Sequence, residues 1–300
     1  MVRDQQPAAA TPFSGGLEPA TFHAGPAQQE ALARLEWLVA ERQRCGLVVA
    51  APGMGKSHLL ATAARRLGGL GAEVAVLSLR GMPEGEWIEL LLERLPLHPL
   101  SRAEPIRPWQ KLEHRLRENA LMERTTALFF DDIDHGPADA LEGIARLVAA
   151  VEPKFSHTLV VATATPAGLG RLPEAIHHRA SVRTELAAWS DRETGDYLAA
   201  ELDRAGADAA TFTPEAVTTL ARFACGTPRV VVQLARLAHA AATGDGVDRV
   251  DAAMVERVWR ELAPNPPSGT HAADGAGDMP PESSATPALP RVRVVRRLWG

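Results

Sequence analysis

The chain has 300 residues, a formal net charge of −5 at pH 7, 46% hydrophobic residues and 23% charged residues. That is enough for one α/β domain and a smaller helical one, and the mildly acidic balance gives no argument for a large nucleic-acid footprint. No stretch approaches the ~18 consecutive apolar residues of a membrane helix, residues 1–11 lack the apolar run of a secretory signal, and Cys45 and Cys225 form no C-x-x-C pair, which points to a reduced, cytoplasmic compartment.

Residues 1–12 are rich in Ala, Gln and Pro and are expected to be disordered. A helix is predicted over 27–44, with Leu32, Leu35, Leu38 and Val39 on one face. The apolar run Leu47-Val48-Val49 reads as a buried strand, and 59–67 has helical composition and spacing. Between them lies Ala50-Ala51-Pro52-Gly53-Met54-Gly55-Lys56-Ser57. Strand, glycine-rich loop, Lys-Ser and helix form the arrangement of a phosphate-binding P-loop, with Ala50 in place of the first glycine of G-x-x-x-x-G-K-[ST]. The N–H groups of a helix N-terminus point at an anion, and the helix dipole adds to the attraction. Pro52, Gly53, Met54, Gly55, Lys56, Ser57 and His58 are the candidate nucleotide-binding residues. Lys56 suits the β- and γ-phosphates, and the Ser57 hydroxyl suits Mg²⁺.

A second strand is predicted over 73–79, amphipathic helices over 84–95 and 109–123, and a third strand over 126–130. The run Ala127-Leu128-Phe129-Phe130-Asp131-Asp132 is an apolar strand ending in two carboxylates, a Walker B pattern. Ligands of open parallel sheets bind at such carboxyl ends. Asp131 is the candidate metal ligand. Asp132 stands where a glutamate usually polarises the attacking water, and its shorter side chain implies slow hydrolysis or a shifted water. A helix over 138–151, a strand over 157–163 and a short strand over 182–186 complete an alternation that implies a doubly wound parallel sheet. Helices follow over 191–205, 214–224, 228–243 and 251–262, with Ser190 and Thr213 as N-caps and Pro214 at a first helical position. Residues 263–290 read as a flexible linker ending in the basic, apolar peptide 291–300, a candidate docking segment for a protein partner, nucleic acid or acidic lipid. The adjacent His177 and His178 point apart on a helix and make a poor metal pair, and His135 reads as a polar loop residue.

With these pieces placed, residues 12–262 resemble the AAA+ ATPases, and within them the ExeA (general secretion pathway A) type. The resemblance is carried by Pro12-Phe13, Glu30-Ala31-Leu32-Ala33-Arg34-Leu35, Asp191-Arg192-Glu193-Thr194-Gly195-Asp196-Tyr197-Leu198, Arg204-Ala205-Gly206 and Gly226-Thr227-Pro228-Arg229. The same ATPase group includes transposition regulators of the TniB and MuB kind. The resemblance implies a P-loop NTPase fold with a nucleotide-binding domain over 13–188, a helical lid over 189–262 and ATP with Mg²⁺ as cofactors. It makes Arg229 a sensor 2 arginine, Arg179 an arginine finger reaching a neighbouring subunit's nucleotide, and Thr163 or Thr165 the sensor 1 residue, Thr163 preferred. Phe22, His23 and Pro26 are candidates to line the adenine pocket. The implied activity is an ATP hydrolase working as an oligomerisation and assembly switch on a protein partner, in an ATP-dependent homo-oligomer, ring or filament. The alternatives are an ATP-dependent DNA-binding regulator and a nucleotide-binding scaffold of very low turnover. The membrane span and cell-wall domain that often follow in ExeA-type proteins are not recognisable in this sequence.

Overall fold

The computed structural model describes residues 12–13, 16, 21–96 and 106–262. The N-terminal stretch 1–11 and the tail 263–300, with its basic peptide 291–300, lie outside the described residues. Helix α1 is Pro26–Ala40, strand β1 Cys45–Val49, helix α2 Lys56–Gly69, strand β2 Glu73–Ser78, helix α3 Trp87–Arg94 and helix α4 Pro108–Leu121. Next come β3 (Thr126–Asp131), α5 (Ala138–Ala149), β4 (Thr158–Ala164), α6 (Glu174–Arg179) and β5 (Val182–Glu185). Four helices follow: α7 (Asp191–Arg204), α8 (Pro214–Ala224), α9 (Pro228–Asp245) and α10 (Ala252–Leu262).

The strands form one parallel sheet in the order β2-β3-β4-β1-β5. Burial follows position in that order. Every residue of the inner strands β1, β3 and β4 is buried, whereas the edge strands β2 and β5 alternate or open to solvent. The pleat sends alternate residues to opposite faces. Leu128 and Phe130 of β3 join Val160 and Ala162 beneath α3, α4 and α5, while Ala127 and Phe129 join Val48 and Val161 beneath α1 and α2. Phe129 and Phe130 are fully buried, and burying each contributes ~1.5–3 kcal/mol. Cys45 lies in the first of these clusters, where burial pushes its thiol up to about 12.

The four C-terminal helices close around their own apolar cluster, which includes Tyr197, Leu198, Leu234 and Val255. Ser190 caps α7 in a reciprocal box: its Oγ accepts from the Glu193 N–H at 3.2 Å, and the Glu193 carboxylate accepts from the Ser190 N–H at 2.9 Å. Thr213 Oγ1 accepts from the Ala216 N–H at 3.2 Å, with Pro214 opening α8. Phe13 sits in this helical cluster, edge-on to Phe212 at 5.8 Å, and so packs with the lid although it precedes the sheet in sequence.

Element boundaries move for local reasons. The helix expected over 27–44 stops at Ala40, because Arg42 takes a left-handed φ of 50° and the Gln43 N–H turns back to the Leu38 carbonyl at 2.8 Å. Strand β1 starts early, at Cys45. Gly46 is part of it, and a Cβ there would lie 2.5 Å from Leu38 Cδ1, so the missing side chain is what lets α1 close on the strand. Helix α5 ends at Ala149, where Arg44 caps the Leu147 and Ala150 carbonyls. No described helix is long and apolar enough to cross a membrane.

Candidate functional site

The strand order determines which residues can meet. Strand β4 lies between β1, which feeds the glycine-rich loop, and β3, which ends in the carboxylates. Register pairs Val48 with Thr163 and Phe130 with Ala162, so Thr163 stands level with the mouth of the loop on one side and Asp131 on the other.

The loop leaves β1 smoothly. Ala50 continues the pairing, its N–H donating to the Ala164 carbonyl at 3.1 Å, so the absent first glycine is not needed here. Gly53 and Gly55 have left-handed φ values of 84° and 86°, which L side chains resist. Gly53 is doubly constrained, because a Cβ there would lie 2.9 Å from Thr227 Cγ2 and 3.3 Å from Arg229 Cβ. Gly55 is the N-cap of α2 and supplies no side-chain cap, leaving the first-turn N–H groups to an anion. Met54 is buried and Pro52 exposed.

Lys56 is 6% exposed, and its ammonium folds back to donate to the Ala50 and Ala51 carbonyls at 2.8 and 3.2 Å. Burial pulls its pKa below the usual lysine range, against the opposing pull of Asp132, Asp131 and Asp134 and with a smaller push from Arg229. A phosphate oxygen would replace neutral carbonyls with an anion and relieve that penalty.

Ser57, Asp131, Thr163 and Asp132 form one chain of hydrogen bonds. Ser57 Oγ donates to Asp131 Oδ2 at 2.5 Å, Thr163 Oγ1 donates to Asp131 Oδ1 at 2.6 Å, and the Asp132 N–H donates to Thr163 Oγ1 at 2.8 Å. This geometry separates the two threonines left open by the sequence. Thr163 engages both carboxylate-bearing residues, whereas Thr165 is turned to Asp134, donating from its N–H at 3.0 Å and its hydroxyl at 2.6 Å. The computed model carries no ligands, but the donor set fits one. A hydroxyl hydrogen-bonded to a carboxylate at 2.5 Å beside the glycine loop suits a hard divalent cation with oxygen ligands.

Asp132 has a left-handed φ of 52°, which aims its carboxylate away from the strand. There Arg80, just beyond β2, donates from Nε to Asp132 Oδ2 at 2.8 Å, and that bond, the largest influence, raises the Arg80 pKa. Arg80 and Asp134 are functional candidates that sequence reasoning passes over. Their signal is position, since Arg80 follows the carboxyl end of a parallel strand and Asp134 follows two acids at the end of the neighbouring strand. His135 stands beside both, with Nδ1 3.5 Å from Arg80 and 3.2 Å from the Asp134 carboxylate.

The lid reaches the loop through Arg229, whose backbone N–H donates to the Gly53 carbonyl at 3.1 Å while its side chain is exposed. The adenine-pocket candidates diverge. Phe22 packs edge-on against His58 at 5.0 Å, His23 packs against Trp189 and Tyr197 at 5.6 and 5.7 Å, and Pro26 is an exposed first residue of α1. Burial lowers the His23 pKa. Arg179 ends α6 at the opposite end of the sheet, next to Ser181, whose N–H bonds the Cys45 carbonyl at 2.9 Å at the start of β1. The length of β1, ~3.3 Å per residue, separates it from its own chain's phosphate loop.

No family model and no curated protein matches the sequence. Solved structures do. ORC2 of Aeropyrum pernix aligns with a TM-score of 0.62 at 15% identity, over 83% of this chain and 71% of that one. Cdc6p of Pyrobaculum aerophilum aligns with 0.60 at 17%, over 79% and 67%. The RuvB Holliday junction branch migration motor of Thermotoga maritima aligns with 0.52 at 18%, over 80% and 70%. The five-stranded parallel sheet with its helices matches the AAA+ P-loop NTPase fold. At these identities the likeness is one of fold.

Proposed function

We propose that the protein binds ATP with Mg²⁺, hydrolyses it slowly, and uses the bound nucleotide as an assembly switch acting on a protein partner. The observation that carries this reading is the Ser57–Asp131–Thr163–Asp132 chain at the mouth of a P-loop. In this reading the loop N–H groups and Lys56 hold the β- and γ-phosphates, and Ser57 and Asp131 hold the metal. The metal's contribution is to neutralise charge on the phosphates. Asp132 accepts a proton from water as that water bonds to the γ-phosphorus and the bond to the bridging oxygen breaks. Thr163 keeps Asp131 and Asp132 in register. Arg229, arriving on the lid, and Arg179, arriving from a neighbouring subunit, supply positive charge to the transferring group.

The assembly role rests on Arg179, an exposed cation a strand's length from its own chain's loop. Phosphate release per subunit, measured over a range of protein concentrations, tests it. Specific turnover that climbs with concentration, and is abolished by Lys56→Ala, supports shared sites. Turnover indifferent to Lys56 overturns the nucleotide assignment.

The pathway reading follows the ExeA-type resemblance, with peptide 291–300 docking the partner. A DNA-associated role of the TniB/MuB kind has separate support: a Drosophila ORC similar to this chain was solved bound to DNA, with a TM-score of 0.60 at 19% identity over 87% of this chain and 69% of that one. ATP-dependent, salt-sensitive binding to duplex DNA favours the second role, and its absence favours the first.

A further inference from the structure

Beyond the carboxylates assigned to chemistry, the Walker B turn carries a third acid, Asp134, whose hydrogen bonds run to the loop after β4. It is 2% exposed. A carboxylate so buried needs hydrogen bonds to stay charged, and its bonds go to the segment that leads to Arg179. Asp134 Oδ2 accepts the Thr165 N–H at 3.0 Å and the Thr165 hydroxyl at 2.6 Å, and that hydroxyl accepts the Gly168 N–H at 3.0 Å. Gly168 lies directly against the acid, and a Cβ there would be 2.0 Å from Asp134 Oδ2. Asp134, Thr165 and Gly168 thus form a clasp in which the loop after β4 cannot shift without disturbing the turn after β3.

The next links run to the end of α6. Leu169 follows Gly168, and its carbonyl lies 3.0 Å from His177 Nε2. His177 is two positions before Arg179 on a six-residue helix whose one buried residue is Ile176. The helix packs against α5, and the Leu169–His177 bond adds a second restraint near its end. Beyond it, the Ser181 N–H is fixed to Cys45. Arg179 therefore sits between a bond on each side, and the upstream one traces back to the acid beside the candidate catalytic pair.

We infer that Asp134 is a positioning residue for Arg179: through Thr165, Gly168 and the Leu169–His177 bond it fixes the arginine that a subunit presents to its neighbour's nucleotide. This rests on the reading that Arg179 works in trans, and it ties the state of one subunit's Walker B turn to catalysis in the next.

Mixed oligomers separate the two ideas. Lys56→Ala subunits keep Arg179 but lack a working phosphate site; Arg179→Ala subunits keep the site but lack the finger. Mixing them is expected to restore phosphate release above the sum of the separate proteins. Adding Asp134→Ala, which removes the oxygen that both Thr165 bonds reach, to the Lys56→Ala donor is then expected to reduce that restoration by ~10- to 100-fold, the effect of misplacing a catalytic group by about an ångström. The loss should fall on kcat, with KM for ATP at the acceptor site unchanged, and a donor melting temperature well above that of the assay, with co-sedimentation equal to that of plain Lys56→Ala, separates it from poor folding. Thr165→Val on the donor removes the same clasp without touching the acid and should give the same split, and co-sedimentation confirms that donor and acceptor assemble. Full restoration by both clasp-deficient donors overturns the inference while leaving the trans reading intact. No restoration by the plain Lys56→Ala donor overturns both.

Discussion

Arg80 holds Asp132. The guanidinium Nε donates to Asp132 Oδ2 at 2.8 Å, with the acid's side chain 16% exposed and the arginine's 52%. A pair this exposed on one side contributes at most ~1 kcal/mol to stability. Its importance lies elsewhere, because the carboxylate it occupies is the one proposed to accept a proton from water.

Arg80→Ala is therefore expected to leave the melting temperature within a few degrees of the parent and to raise basal ATP turnover several-fold at saturating ATP. Steady-state phosphate release checks this. Turnover that falls to background would instead give Arg80 a direct part in holding the nucleotide.

Thr163→Val keeps the shape and removes a hydroxyl that serves Asp131 and Asp132 at once. Thr163 is fully buried, so each orphaned partner costs about 1–3 kcal/mol. A drop in melting temperature of ~4–12 °C is expected, with hydrolysis reduced more than nucleotide binding. Calorimetry on apo protein, alongside ATP titration, separates the two effects.

Lys56→Ala and Asp132→Asn should fail differently. The first removes the buried ammonium over the loop carbonyls and is expected to abolish measurable ATP affinity in titration calorimetry. The second keeps the cradle and is expected to bind ATP near parental affinity while releasing phosphate at least ~10²-fold more slowly. Equal turnover in Asp132→Asn and parent would remove Asp132 from the base role.

The Asp134 clasp has a pH signature. Burial by itself would raise this carboxyl, but the Thr165 hydroxyl, the Thr165 N–H and His135 outweigh it and hold the pKa below the ordinary 3.8. A depressed acid contributes stability above its unfolded pKa and loses it as pH falls through the folded value. The melting-temperature gap between parent and Asp134→Asn is thus expected to be widest near neutrality and to close toward pH 3. A gap still at its full width at pH 3 would contradict the assignment.

Gly143→Ala tests the packing under the sheet. A Cβ at Gly143 on α5 would lie 2.2 Å from Trp87 Cζ2, and Trp87 is itself fixed edge-on against Phe130 and Trp109. A loss of ~1–3 kcal/mol is expected in denaturant unfolding, although alanine is the better helix former.

The parts that could be read from sequence are those where chemistry imposes a local pattern. The phosphate loop, the acids ending β3 and the caps Ser190 and Thr213 each carry their signal within a few neighbouring residues. Long-range geometry left fainter marks. Thr163 and Thr165 look alike in sequence because they share a strand end, and only the placement of β4 between β1 and β3 separates them. Arg80 reads as an ordinary arginine after a strand, because its partner lies 52 positions away. The early start of β1 was hidden by Gly46, a weak strand former used here because Leu38 occupies its side-chain space.

Where Thr227 and Arg229 press on Gly53, the nucleotide cradle and the helical cap become one mechanical part. The cap cannot tilt without pulling on the glycine loop proposed to wrap the phosphates, because the Arg229 N–H is bonded to the Gly53 carbonyl. Grafting the cap of another ATPase onto this sheet would therefore import a foreign loop shape along with it, and such a chimera should need its glycine loop replaced in the same step.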